Sequence, residues 1–258
     1  MGVTADSHGK SGSRSSGSEK AEPTGGAFVV AGALASHPLA AAFAAEVRRV
    51  HHRYAVEVVS GYRLCPHIGE PHASFGRFCV MLDRVPDLEA AVAEVAAGVA
   101  DGMLVHLVYP LVDLEPTHFE RFCNELHAEV ARRLPDPPVH ATFHPRLEGD
   151  ALSPARMVGL LRRAPDPFVQ FVPEGLHKGG TVFADLATLD LESLLKGPRD
   201  YATRTFERLK SGGLDVLLGW LADIRADRDR SYAPYLQALE ASRIPREPDA
   251  PTAPAPRG

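Results

Sequence analysis

The sequence predicts an α/β fold, ordered β-α-β-α-β-α-β and followed by a helical C-terminal segment. Short runs rich in β-branched and aromatic residues alternate with segments whose apolar residues recur at helical spacing. The chain has 258 residues, of which 45% are hydrophobic and 24% are charged, so it can bury a substantial core. This order is typical of an α/β sandwich with a partly parallel sheet, although a ferredoxin-like sheet uses similar elements.

The two ends of the chain differ in composition from its middle. Residues 1–26 are rich in Ser and Gly, and residues 244–258 are rich in Pro and Ala. Both stretches contain too few apolar residues to offset the entropy of ordering them, so we predict two disordered, dispensable tails. Between them we predict an α/β core domain over 27–180 and a helical segment over 181–243.

The first helix is expected to begin near Ser36, which can cap it, with Pro38 in its first turn. An apolar stripe follows at helical spacing: Phe43, Val47, Val50, Tyr54 and Val58. Gly61 is expected to end this helix. His51 and His52 are predicted to lie on its surface.

Four strands and three further helices follow. The strands are predicted at 77–82, 102–110, 139–145 and 168–173. Asp87, Pro116 and Ser153 mark the starts of the three helices. The run 102–110 is apolar on both faces apart from His106, which indicates a buried central strand in which His106 is a neutral core residue.

Composition also limits the function. The net charge of -5 and a pI near 6.2 argue against a nucleic-acid partner. The three cysteines, an odd number without a secretory signal, indicate a reducing cytoplasm, and Cys79 and Cys123 are predicted to be core residues. Because the apolar runs are too short to span a bilayer, we expect a cytoplasmic protein without a membrane partner. The oligomeric state is not specified.

Prolines mark the ends of three strands, at Tyr109-Pro110, His144-Pro145 and Val172-Pro173. If these strands are parallel, their ends meet at the sheet edge where open α/β folds bind ligands. Tyr109, His144 and Glu174 would then converge. Equally, each proline could simply end its strand, because proline cannot donate to a strand ladder.

The second candidate region is the loop "GYRLCPHIGEPH" at 61–72, in which Cys65 and His67 flank a proline. Together with His144 they would form a small-molecule site with a bound zinc or iron ion. His140 lies on the same strand face as His144 but about 13 Å away, so we interpret it as structural. Alternatively, Cys65 is a metal-free nucleophile with a histidine base, or only fills a gap below the first helix.

Four short motifs occur in order: "RLCPHIG" at 63–69, "LVYP" at 107–110, "TFHP" at 142–145 and "LSPARMVGLLRR" at 152–163. Over about 40–165 the chain therefore resembles a bacterial family, domain of unknown function 1415. Its members typically carry N-L-C-P-F-A, L-I-H-P, S-F-H-P and R-S-P-Y-P-x-L-H-L-L-R. The matching residues are Cys65, Pro66, His144, Pro145, Ser153, Pro154 and Arg162.

The departures from that family concern the same region. Tyr109 and Gly159 replace family histidines, and His67 replaces a phenylalanine. The resemblance implies where a site lies and does not imply a reaction.

Three functions follow as hypotheses. The first is an enzyme acting on a small molecule, with Cys65, His67, His144, Arg162 and Tyr109 as candidate catalytic residues and the first three as metal ligands. The second is a non-catalytic protein that binds a small molecule or a partner. The third is a metal-free cysteine enzyme.

Overall fold

The computed structural model describes residues 27–61, 76–174, 206–207 and 209–241. Its centre is a five-stranded mixed sheet made of β1 (Phe28–Ala31), β2 (Arg77–Met81), β3 (Val105–Val108), β4 (Val139–Phe143) and β5 (Phe168–Val172). The strand order is β1-β2-β3-β5-β4. Strands β1, β2 and β3 are mutually parallel, whereas β5 runs antiparallel to both β3 and β4. The predicted α/β class is therefore confirmed, with a sheet that is partly parallel.

Among the described residues, five α-helices cover the two faces of this sheet. They are α1 (Ala40–Tyr54), α2 (Leu88–Ala100), α3 (Pro116–Arg133), α4 (Pro154–Leu161) and α5 (Leu214–Ala241). Wider π-turns extend α1 over Ala55–Ser60, and a kink with non-helical backbone at Ser211 and Gly212 precedes α5. Helices α2 and α3 pack on one face, and α1, α4 and α5 share the apolar core on the other.

Most of the predicted local signals are found at their expected places. Asp87 caps α2 by accepting the Ala90 backbone N–H at 3.0 Å, and Ser153 caps α4 in the same way. The predicted stripe of α1 is buried throughout. Strand β3 lies at the centre of the sheet, between β2 and β5, as its apolar sequence predicted.

Three expectations are corrected. Helix α1 begins after Leu39 without a side-chain cap, so Ser36 does not cap it. His51 is buried rather than on the surface, although its neighbour His52 is exposed. Strand β1, which the sequence did not predict, pairs with β2; its four apolar residues show no alternation by which to identify an edge strand.

The C-terminal segment does not form a separate appendix where the structure describes it. Helix α5 packs along α1 and buries Leu217, Ile224, Tyr232 and Leu239 in the shared core. The two predicted tails and residues 181–205 lie outside the described residues, so their predicted character stays untested. Within the described ranges, no helix is both long and apolar enough to cross a membrane.

Candidate ligand-binding site

One end of each of the five strands lies at the same edge of the sheet. Because β3 and β4 both run antiparallel to β5, the ends of β3 and β4 lie at the same edge as the start of β5. Tyr109 and His144 therefore share this carboxyl edge, as predicted. Glu174 does not, because it follows β5 and lies at the opposite, amino edge. The predicted convergence is wrong for Glu174, and the reason is the antiparallel direction of β5.

A cleft of about 280 Å³ opens between this carboxyl edge and helix α5. The loops after β2, β3 and β4 and the segment before β5 form one side, and α5 forms the other. Its charged and titratable lining consists of Arg84, Asp113, His144, Arg146, Arg225, Arg228 and Asp229. Four arginines and two aspartates thus line one small concave site, with two arginines and one aspartate on each side.

Three of these arginines are held weakly or have no ion pair among the described residues. Arg84 forms a half-exposed ion pair with Glu240 at 2.6 Å, and Arg146 pairs with the exposed Asp113 at 2.9 Å. Exposed pairs of this kind contribute about 0–1 kcal/mol, so a ligand can compete for these guanidinium groups. Arg225 is exposed and forms no ion pair within the described part of the chain.

Arg228 is fixed by a buried carboxylate. Its Nε donates to Asp166 Oδ1 at 2.8 Å, and its guanidinium lies 4.8 Å from the centre of the Tyr232 ring. Asp166 is fully buried and also accepts the Tyr232 hydroxyl at 2.9 Å and contacts His51 Nε2 at 3.1 Å. The cluster Asp166–His51–Tyr232–Arg228 connects α1, the segment before β5 and α5. It therefore holds one wall of the cleft in place.

Asp166 and its partners stabilise one another's charged forms. Burial alone would raise the pKa of Asp166, but the hydrogen bond from His51 and the charge of Arg228 outweigh it and hold that pKa below its ordinary value. Because Asp166 stays a carboxylate, it can only accept, so His51 donates its Nε2 proton. Burial alone would lower the pKa of Arg228. The charge of Asp166 outweighs this effect, so the pKa of Arg228 lies above its ordinary value.

His144 is buried in the cleft wall with both ring nitrogens engaged. Its Nδ1 accepts the Arg146 backbone N–H at 3.1 Å, so the proton lies on Nε2, which donates to the Leu114 carbonyl at 3.1 Å. Burial lowers the pKa of His144, an effect only partly offset by the Leu114 carbonyl. A metal ion bound at either nitrogen would have to replace one of these backbone bonds.

The other candidates on described residues lie on different faces. The Tyr109 ring packs 5.6 Å from Phe119, whose ring is 5.9 Å from His144, and its hydroxyl is buried without a hydrogen-bond partner. The Arg162 guanidinium lies on the opposite face of the sheet, 6.0 Å from the centre of the Phe143 ring. The structure thus places Tyr109 and His144 around the same Phe119 ring. The Arg162 backbone carbonyl accepts the His144 N–H at 3.1 Å, but the Arg162 guanidinium lies on the other face of the sheet.

Cys65 and His67 lie outside the described residues, so their predicted meeting with His144 stays a prediction. Gly76, the next described residue, precedes β2 at the amino edge of the sheet. Among the residues that the structure describes, no group of three His, Cys, Asp or Glu side chains could hold a metal.

The two other cysteines are core residues, as predicted. Cys79 and Cys123 are fully buried, Cys79 on β2 and Cys123 on α3. Burial raises the pKa of each thiol to about 12. Since the thiolate is the nucleophile, neither of these cysteines is suited to catalysis.

Several lining residues were missed at the sequence level. The segment "APDP" places Asp166 between two prolines, and in α5 Arg225, Arg228 and Tyr232 recur at helical spacing. Both patterns can be read in the sequence, but neither indicates that α5 packs against the carboxyl edge of the sheet.

Gly159, which stands where the similar family has a histidine, is required by packing. A β-carbon at Gly159 would overlap the backbone carbonyl oxygen of Glu148. A histidine here would need the loop before α4 to move.

In comparisons with known proteins, no family model, no curated protein and no solved structure matches this chain. The family resemblance accordingly stays a prediction.

Proposed function

We propose that this protein binds a small anionic molecule, a carboxylate or a phosphate, in the cleft at the carboxyl edge of its sheet. One observation carries the proposal: Arg84, Arg146, Arg225 and Arg228 line a single cleft that contains only two carboxylates. Arg84 and Arg228 are paired with Glu240 and Asp166, which do not line the cleft, and Arg146 is paired with Asp113. Arg225 has no ion pair among the described residues, so its guanidinium is the one available to an anion without competition.

The chemistry of the lining fits such a ligand. A guanidinium group presents a planar fork of N–H donors that matches carboxylate and phosphate oxygens. Arg228 is held in position by Asp166, so its ordering requires no further entropy when a ligand binds. The location agrees with the general rule that open α/β sheets bind ligands beyond the carboxyl ends of their strands.

Calorimetric titration of the full chain with inorganic phosphate and with succinate tests the proposal. Replacing Arg225→Gln removes an exposed guanidinium without breaking an ion pair among the described residues. We expect binding of at least one of the two anions, weakened about 10- to 100-fold by Arg225→Gln, because a charge-assisted hydrogen bond contributes about 1.5–3 kcal/mol.

The matched control is Arg132→Gln, which removes an exposed arginine on α3 that does not line the cleft. It should leave the affinity unchanged, while added salt should weaken binding to the wild type. Absence of binding by both anions, or equal affinities for the two variants, would contradict the proposal.

The predicted Cys65–His67 site is a separate hypothesis with its own test. If Cys65 binds a metal or acts as a nucleophile, Cys65→Ser should remove metal content or thiol reactivity and leave the free energy of unfolding unchanged. Elemental mass spectrometry and thiol titration measure these quantities. Destabilisation with no change in metal content or reactivity would instead mean that Cys65 only packs.

A further inference from the structure

We infer that the anion is the head group of an amphiphilic acid, whose aliphatic chain lies in a second cavity beside the arginine cleft. The ligand class is then a short- to medium-chain aliphatic carboxylic acid. This inference rests on the proposed function and adds the chemistry of the rest of the ligand.

The second cavity has a volume of about 210 Å³ and lies between the core and the first half of α5. Its apolar lining comprises Tyr54, Ala164, Leu218, Leu221, Ala222 and Ile224. The Tyr54 hydroxyl is not available to a ligand in this cavity, because it donates to the Leu161 carbonyl. Arg163, also at this cavity, donates to the backbone carbonyls of Leu147 and Gly149. The cavity therefore offers mainly carbon surface.

The cavity and the cleft adjoin each other. Pro145, Pro165 and Arg225 line both of them. A ligand that lies across these shared residues would place its chain against apolar carbon and its head beside the arginines. Arg225 stands at the junction and forms no ion pair with a described residue, so its guanidinium is the donor best placed for that head group.

Exposed leucine surface supports an occupant in this place. Leu218 is 38% exposed on a helix whose neighbouring turns carry Asp223, Arg225 and Asp227. Water-exposed apolar surface inside a concave site gains free energy when a ligand covers it. The two volumes together lie within the range of about 300–1,000 Å³ that is usual for small-molecule sites.

Calorimetric titration of the full chain with acetate, butyrate, hexanoate and octanoate tests this inference. We expect the affinity to rise about fourfold for each added methylene until the cavity is filled, which follows from about 0.8 kcal/mol per buried methylene. Hexanol, which has the chain without the charge, should bind at least tenfold more weakly than hexanoate.

Ala222→Trp fills the cavity, and Val216→Trp places the same side chain at an exposed position of α5 outside it. Ala222→Trp should abolish the chain-length dependence and leave phosphate binding intact, whereas Val216→Trp should alter neither. If phosphate binds the wild type but affinity does not depend on chain length, the amphiphile inference fails and the cleft proposal stands. If no anion binds, the cleft proposal itself fails. Equal binding of hexanol and hexanoate would also overturn the inference.

Discussion

Two buried tyrosine hydroxyls, one on each face of the sheet, have opposite surroundings. On the face covered by α1 and α5, the Tyr232 hydroxyl donates to Asp166, which accepts from two further side chains. On the face covered by α2 and α3, the buried Tyr109 hydroxyl has no hydrogen-bond partner among the described residues. The first hydroxyl helps to connect α5 with the segment before β5, and the second makes no such connection.

The difference has an energetic meaning. Removing one member of a buried, hydrogen-bonded charge cluster leaves the others desolvated and unpaired. Removing a buried hydroxyl that has no partner deletes only an unfavourable desolvation. The Asp166 cluster on the α1–α5 face should therefore be sensitive to polar substitution, whereas the Tyr109 position on the α2–α3 face should tolerate loss of its hydroxyl. Because the Asp166 cluster also positions Arg228, stability and ligand binding are coupled there.

The largest effect is expected for Asp166→Ala. This change leaves His51, Tyr232 and Arg228 without their common acceptor, so the free energy of unfolding should fall by about 3–5 kcal/mol. Urea denaturation measures it. Asp223→Ala, which removes an exposed partner of Arg53, serves as control and should cost no more than about 1 kcal/mol. A loss below about 1 kcal/mol for Asp166→Ala would show that the cluster does not stabilise the α1–α5 face.

A smaller loss is expected for Tyr232→Phe. This variant keeps the buried ring and removes one donor to the Asp166 carboxylate, so it should cost about 1.5–3 kcal/mol. The same denaturation experiment applies. If the cluster acts as a unit, the losses for Tyr232→Phe and Asp166→Ala should not add in the double variant. Strict additivity would mean that the two residues act independently.

The two faces should also lose stability in different pH ranges. Burial lowers the pKa of His144 and of His140 from 6.5, and both lie on the α2–α3 face. The unfolded chain then binds more protons than the folded chain below about pH 6.5, so their contribution is present above that pH and is lost as the pH falls further, by at most about 1.4 kcal/mol per pH unit and group.

On the α1–α5 face the corresponding group is Asp166, whose folded pKa lies below 3.8. Its contribution is present above about pH 4 and is lost below it. His140→Gln should therefore flatten the stability profile between pH 7 and 5, while the exposed His118→Gln should not. An unchanged slope in His140→Gln would show that His140 does not contribute to the acid sensitivity of the α2–α3 face.

The smallest effect, and the sharpest contrast, is expected for Tyr109→Phe. Since the hydroxyl has no partner among the described residues, its removal should change the free energy of unfolding by less than about 0.5 kcal/mol or stabilise the protein. The comparison with Tyr232→Phe uses the same chemical change on the two faces. A loss of more than about 1 kcal/mol for Tyr109→Phe would mean that its hydroxyl is hydrogen-bonded in solution.

Local signals predicted much of this fold. The caps at Asp87 and Ser153, the stripe of α1 and the apolar run of β3 each depend on neighbouring residues, and all of them are found. The direction of β5 depends on how the connection through α4 returns the chain to the sheet, and it was not predicted. The burial of His51 depends on Asp166, 115 residues away in the chain. The arginine cleft was missed for the same reason, because α5 reaches the sheet edge only in the folded chain.

The position of β5 has a consequence for synthesis of the chain. Strand β5 is the last of the described strands in sequence, yet it lies between β3 and β4, and within the described sheet it is the partner that β4 pairs with. Until the ribosome has released residues 168–172, β3 has an open edge and β4 has no neighbour. A nascent chain stalled before this point would expose strand edges that invite pairing with other chains. The described sheet can therefore close only after β5 has been synthesised, so β3 and β4 remain until then without their full set of strand partners.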